Sequence, residues 1–255
     1  MIYSLHVGLN YAGSPYELHG CENDARAMRQ ALRDALMASG KGWNIQQTEL
    51  QTGILGVRGF LAAIEQQFNR LRANEHTKRI SDIYITFSGH GTWVETPDGI
   101  KEGICLWNGA QIEVLLDSDL RQFLQTMPFI NIVVILDSCF SGGMSRNTPP
   151  TFARRFVPFD PTSMLLSSTD HFEREAVQIA ELNKIYYLMA CQSYEVAYET
   201  DGKGEFTTAL CDAVKFANSP DDKTIKSVMR DASAVLTLQN PVYKCLRGNA
   251  AKRIF

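Results

Sequence analysis

The chain has 255 residues, 45% of them hydrophobic and 21% charged, which is ordinary for a soluble globular protein and enough to bury the core of one sizeable domain. Twenty-five basic residues against 28 acidic ones leave a net charge of −3, so no basic field invites nucleic acid or anionic lipid, and neither partner is expected. Six scattered cysteines form no C-x-x-C pair, arguing against a disulfide scaffold or a structural zinc site and for a reducing, cytoplasmic setting.

The first residues, Met1 to Leu9, lack the basic start and long apolar stretch of a signal peptide, and 2–9 reads as a first core strand. No apolar run approaches the ~18 residues needed to span a bilayer. Ala25, Met28, Leu32 and Leu36 fall on one face of a helix running from Asn23 to about Ala38. A second strand is expected over 43–51, entered from the Gly40-Lys41-Gly42 turn. Val57, Leu61, Ile64, Phe68 and Leu71 then mark a second helix with a buried stripe.

Asp82 to Phe87 is β-rich, and a weaker strand is expected through Ile104 to Trp107. Leu120, Phe123, Leu124 and Met127 share a helix face that opens near Asp117 or Ser118. Phe129 to Leu136 is almost continuously apolar, as a strand covered on both sides should be. Ile185 to Met189 is a further strand, followed by helices near 206–217 and 224–236 and a tail from Asn240-Pro241 suited to an edge strand.

Alternation of this kind predicts an α/β fold: one domain over 1–255, with a mostly parallel sheet of about six strands and helices on both faces. Strand C-termini then share one edge, where such folds place their sites. The stretch 144–182 breaks the rhythm with Pro149-Pro150, Arg154-Arg155, Pro158 and Pro161, and reads as a long functional or mobile loop.

Two motifs end strands of this sheet: Phe87-Ser88-Gly89-His90-Gly91 and, 49 residues on from the histidine, Leu136-Asp137-Ser138-Cys139-Phe140-Ser141-Gly142-Gly143. A thiolate attacks a carbonyl far better than a thiol, so Cys139 needs a proton acceptor, and His90 suits that role. Flanking glycines allow a substrate backbone to come close, and the amides of Cys139 and Gly91 are the candidates to bind a developing oxyanion. Any one cysteine is more often core than nucleophile; the conjunction of strand ends, glycines and spacing favours catalysis.

These motifs resemble those of the caspase–metacaspase superfamily, specifically its metacaspase or bacterial orthocaspase branch. Leu18-His19-Gly20-Cys21-Glu22-Asn23-Asp24-Ala25, Ala190-Cys191-Gln192 and Gly204-Glu205-Phe206-Thr207-Thr208-Ala209-Leu210 are similar to further family segments in family order, covering about 1–215. The resemblance implies a caspase-like three-layer sandwich and a cysteine endopeptidase with a Cys139–His90 dyad that cleaves after arginine or lysine. It also implies a monomer that needs no cofactor and acts on proteins or peptides. It assigns the acidic pocket for the basic side chain to Cys21, Asp24, Ser88 and Asp137, and two carboxylates suit a guanidinium chemically. Asp24 and Asp137 also fit plain helix-capping and turn-capping roles, and Cys21 and Ser88 fit packing or orienting roles.

Where calcium-dependent relatives carry aspartates, Lys101, Ser118 and Arg146 stand beside a surviving Asp117, so no metal is expected and Asp117 and Asp119 read as a helix N-terminus. Arg146, Arg154, Arg155 and Arg174 make the 144–182 stretch a candidate for self-cleavage. The competing class is a caspase-like binding or signalling module without turnover.

Overall fold

The computed structural model describes residues 2–38, 45–73, 82–127, 131–139, 153–166, 184–192, 195–215 and 224–246. In chain order its elements are β1 (Ile2–Gly8), α1 (Cys21–Ala38), β2 (Ile45–Thr52), α2 (Val57–Ala73), β3 (Asp82–Ser88), β4 (Gly91–Thr96), β5 (Gly99–Trp107), β6 (Ile112–Leu116), α3 (Asp117–Gln125) and β7 (Asn131–Asp137). They continue with β8 (Ala153–Arg154), β9 (Met164–Leu166), β10 (Lys184–Met189), β11 (Tyr198–Thr200), β12 (Lys203–Gly204), α4 (Glu205–Lys215), α5 (Ile225–Val235) and β13 (Val242–Leu246).

The central sheet has six strands in the order β13-β10-β7-β3-β1-β2. All neighbours are parallel except β13, which closes one edge antiparallel to β10. Period-two alternation sorts the side chains into two layers. Ile83, Ile85, Phe87, Ile132, Val134 and Leu136 face the layer holding the α2 stripe Phe60, Leu61, Ile64 and Phe68 and the α3 residues Leu120 and Leu124. Tyr84, Val133, Ile135 and Leu188 face the other, with Met28 and Leu32 of α1, Phe206 and Leu210 of α4 and Val228 of α5. Each such side chain stabilises the fold by roughly 1.5–3 kcal/mol relative to exposure. The expected six-stranded, mostly parallel sheet between helical layers is the architecture observed.

What positions the site is the register. Gly8 pairs with Ser88, and Ser88 pairs with Asp137, so β1, β3 and β7 end flush on one rim. The chain leaves that rim directly into His90 and Cys139.

The structure adds two small sheets that the hydrophobic pattern does not announce. One runs β4-β5-β6-β9, antiparallel except for the parallel β6–β9 pair, so the strand expected at Ile104 to Trp107 is the end of a nine-residue strand in a separate sheet. The other runs β12-β11-β8 and takes in Ala153–Arg154. Part of the stretch read as a long loop is therefore paired backbone. Gly142, Gly143, Arg146 and Arg174 lie outside the described residues. Asp117 and Asp119 fall in the first turn of α3, where acidic side chains complement the helix dipole.

Candidate active site

His90 is held from three sides by the loop after β1. Its Nε2 pairs with the carbonyl of Tyr16 at 2.7 Å, its backbone amide donates to the Tyr11 hydroxyl at 2.8 Å, and the Tyr11 ring lies 4.7 Å from the imidazole. Tyr11 in turn donates to the Cys105 carbonyl at 2.6 Å and adopts a left-handed φ of 53°, a conformation that non-glycine residues rarely take. A carbonyl accepts only, so Nε2 carries the proton and Nδ1 is left with its lone pair. Nδ1 is buried and makes no hydrogen bond of good geometry among the described residues, although the Arg155 backbone is close enough to act on the ring. Burial lowers the His90 pKa from 6.5 to about 4, against a smaller upward pull from the Tyr16 carbonyl, so the imidazole is neutral at physiological pH.

Cys139 is fully buried two residues past the end of β7, the strand that pairs directly with β3. Its thiol donates to the Ala197 carbonyl at 3.2 Å and accepts from the Ala197 amide at 2.8 Å. Burial and the neighbouring Cys191 thiol push its pKa well above the ordinary value, so it rests as a thiol. The sulfur thus rests against the Ala197 peptide group, and no hydrogen bond joins it to the His90 imidazole among the described residues. The two motifs nevertheless meet at one atom. The carbonyl oxygen of Arg155 accepts from the amide of Gly91 at 2.9 Å and from that of Cys139 at 3.2 Å. These are the two amides the sequence nominates for an oxyanion. Gly91 is required there by close approach: a Cβ would come within 1.9 Å of the Cys139 carbonyl oxygen.

The Arg155 side chain, also fully buried, fills an acidic pocket beside this point. Its Nη2 donates to Asp24 Oδ2 at 2.5 Å and to Glu199 Oε2 at 3.3 Å. Its Nη1 pairs with Asp137 Oδ1 at 3.0 Å and donates to Ser88 Oγ at 2.8 Å. Of the four pocket residues drawn from the sequence, Asp24, Asp137 and Ser88 touch the guanidinium directly. Cys21 does not bond it; its thiol lies beside Ser88 and is pushed up to about 12 by burial.

Each carboxylate is fixed by backbone. Asp24 Oδ1 accepts from the Gly204 amide at 2.9 Å, Glu199 Oε1 from the His19 amide at 3.0 Å, and Asp137 Oδ2 from both the amide and the hydroxyl of Thr207. Gly204 forms the pocket floor, since a Cβ there would sit 2.3 Å from Asp137 Oδ2 and 2.5 Å from Arg155 Nη1. Three carboxylates face one guanidinium out of water, and burial raises the Asp137 pKa while Arg155 pulls it down.

Four contributors escape sequence reasoning. Tyr11 and Tyr16 act through a loop that carries no catalytic motif. Ala197 uses only its peptide group. Glu199 reaches the pocket from β11, and its signal, an acid between the β-prone Tyr198 and Thr200, is indistinguishable from a solvated one. Among the described residues, no cluster of three or more His, Cys, Asp or Glu side chains is arranged to hold a metal ion.

With this geometry in view, the comparisons with known proteins fall into place. A model of the family described as "Caspase domain" matches residues 3–250. Metacaspase-1B of Aspergillus oryzae is 24% identical over 249 residues, covering 91% of this chain and 57% of that protein. Metacaspase-6 of Arabidopsis thaliana is 30% identical over 146 residues, covering 55% of this chain and 38% of that protein. The chain therefore spans under two thirds of the length of these relatives. A crystal structure of a Geobacter sulfurreducens protein superimposes over 100% of this chain and 98% of its own, with a TM-score of 0.67 at 21% identity. That likeness concerns the fold.

Proposed function

The chain belongs to the caspase-domain family of cysteine peptidases, and from that premise we propose that it is an endopeptidase that cleaves after arginine and lysine with a Cys139–His90 dyad. The observation that carries this reading is the seat of Arg155, whose side chain meets Asp24, Asp137, Glu199 and Ser88 while its carbonyl is held by the Gly91 and Cys139 amides. Basic side chain and peptide carbonyl are thereby recognised together, next to a thiol.

In the proposed reaction His90 Nδ1 accepts the thiol proton as sulfur attacks the carbonyl carbon of the basic residue. The two amides carry the oxyanion, and His90 then protonates the departing amine. Nε2, tied to Tyr16, keeps the ring in the tautomer this step needs. The neutral states of both groups in the filled, dry site favour proton transfer during attack over a preformed ion pair. An aspartate side chain would meet three carboxylates and be rejected.

The enzyme is further proposed to act without calcium, because Lys101 brings charge of the wrong sign to a position where calcium-dependent relatives carry an acid, and to process itself. The test is incubation with fluorogenic peptides ending in arginine, lysine or aspartate, with and without calcium, with Cys139→Ala as control. Turnover of the basic peptides alone, calcium-independent and lost in the variant, is the expected result. Turnover of none by any form would favour a binding module.

A further inference from the structure

Past β7, on the side of the central sheet that carries α2 and α3, lies a cavity of about 620 Å³, counting the part open to solvent. Pockets for small organic ligands fall in the range of about 300–1,000 Å³. Leu136 of β7 and Met189 of β10 form its floor, and Ile104 of β5, Leu115 of β6 and Leu120 of α3 its apolar wall. Tyr187 lines it from the same face of β10 as Met189. That side chain is 9% exposed, and its hydroxyl is buried with no hydrogen-bond partner among the described residues. We infer that this cavity binds a small apolar carboxylic acid, its carboxylate held by Tyr187, Lys244 and Arg121 and its hydrocarbon tail lying over Leu136 and Met189. The inference goes beyond the peptidase reading and does not depend on it.

Three donors converge on the head of such a ligand. Lys244 stands directly opposite Tyr187 where β13 pairs with β10, so the two side chains are cross-strand neighbours on one face. Arg121 lines the cavity from α3. Burial pushes the Tyr187 pKa upward, and the nearby Arg121 and Asp117 act on it in opposite senses, so the hydroxyl keeps its proton and donates. Neither Arg121 nor Lys244 forms an ion pair among the described residues. A phenol, an ammonium and a guanidinium only lack an acceptor, and a carboxylate accepts at both oxygens. The acids on the lining do not cancel this attraction. Glu102 is engaged by another group, and Asp117 is exposed, where water screens its charge.

Simpler occupants match only half of the lining. A buried tyrosine hydroxyl ordinarily finds a partner. One water would give it a single bond, yet a buried water needs about two to four polar partners, and the cavity is many times the ~30 Å³ share of a water molecule. An inorganic anion would suit the donors and leave the hydrocarbon wall wetted. A neutral hydrocarbon would suit the wall and leave the hydroxyl unpaired. An apolar acid satisfies both.

The cavity also adjoins the candidate active site from below. Leu136 is followed by Asp137, and the amide of Ala190, next after Met189, donates to the Leu136 carbonyl at 3.0 Å. A tail packed on Leu136 and Met189 therefore touches the strand ends that carry Asp137 and Cys139.

The experiment is calorimetric titration of the full chain with octanoate and decanoate, with acetate and octylamine as controls. Expected is one acid bound per chain with a sub-millimolar Kd, decanoate binding about tenfold more tightly than octanoate through its two added methylenes. Acetate and octylamine should not bind. Decanoate should raise the melting temperature in step with occupancy and slow amide exchange in peptides covering β7 and β10. A decanoate bearing a terminal diazirine should label peptides that contain Leu136, Met189 or Ile104.

Tyr187→Phe should weaken decanoate at least about tenfold while melting no lower than wild type without ligand, because it removes a buried hydroxyl that has no partner. Lys244→Met changes an exposed side chain, keeps the apolar stem and should weaken decanoate several-fold; it tests the head group if Tyr187→Phe does not fold. Leu246→Trp, at the half-buried rim, should block binding by bulk. No saturable binding of either acid, equal binding of octylamine, full affinity in both Tyr187→Phe and Lys244→Met, or photolabelling spread over other surfaces would each overturn the assignment. All of these leave the peptidase reading untouched, since its own assay uses neither the cavity nor the acids.

Discussion

Single side chains set the chemistry of the acidic pocket. Arg155 Nη2 is shared by Asp24 and Glu199, while Nη1 serves Asp137 and Ser88, so a forked cation satisfies both ends of the pocket at once. Replacing Glu199 with glutamine keeps the shape and removes one charge-assisted bond, which is worth about 1.5–3 kcal/mol. The expected outcome is a fall of about 10- to 100-fold in kcat/KM for arginyl peptides, mostly through KM, by steady-state kinetics. Gly204→Ala should be more severe, since its Cβ would fall 2.5 Å from the guanidinium nitrogen; binding of arginyl peptides should vanish while the fold, read by circular dichroism, persists. In the proposed mechanism the acid limb of the rate profile belongs to His90. With substrate filling the site the imidazole titrates at about 4, so kcat should hold to near that pH as it is lowered, whereas kcat/KM, which reports the emptied and hydrated site, should fall off nearer the ordinary 6.5. Part of this residue-level picture can be read from the sequence: strand ends and glycines mark His90 and Cys139, and the family resemblance marks Asp24, Asp137 and Ser88. Glu199 and Tyr11 cannot, because their roles come from a φ angle and from pairings across the fold, neither of which leaves a local sequence pattern.

Elements carry these side chains to the rim. β3 and β7 are legible because strands buried on both faces must be apolar throughout, and their parallel pairing follows from the intervening helix. α2 is legible for the complementary reason, a one-sided stripe at helical spacing. β4, β6, β8 and β9 are not, since strands of two to six residues held by pairing partners elsewhere in the chain are too short to show either signal. α4 has a task beyond packing: its Thr207 donates twice to Asp137 Oδ2 at the end of β7. Thr207→Val removes the hydroxyl bond and leaves a buried carboxylate less satisfied, at a cost of about 1–3 kcal/mol. Denaturant titration should show that loss, together with weaker inhibition by arginine-based ligands.

At the scale of the molecule, two buried histidines tie stability to pH. His6, buried in β1 with Nδ1 2.9 Å from Thr86 Oγ1, is lowered from 6.5 to about 3 by burial, and His90 from 6.5 to about 4. Both are therefore neutral in the folded state, and the unfolded chain takes up their protons first. Their contribution is whole above about pH 6.5 and is lost as pH falls towards 4 and 3, on the order of 1 kcal/mol per pH unit from each histidine. Melting temperature should thus drop progressively below pH 6.5, and a His6→Asn variant, less stable at neutral pH, should show a shallower drop. The same economy governs the acidic pocket, where three buried carboxylates are tolerable because a guanidinium occupies it.

The most direct probe of the central claim is covalent labelling of the processed enzyme and of Arg155→Ala with a peptidyl arginyl chloromethyl ketone, alongside its aspartyl counterpart, with the modified residue identified by mass spectrometry. One adduct per chain is expected, on Cys139, from the arginyl reagent alone, and it should be lost in Glu199→Gln at limiting reagent. Equal reaction with the aspartyl reagent, or labelling spread over other cysteines with Cys139 spared, would contradict the central claim.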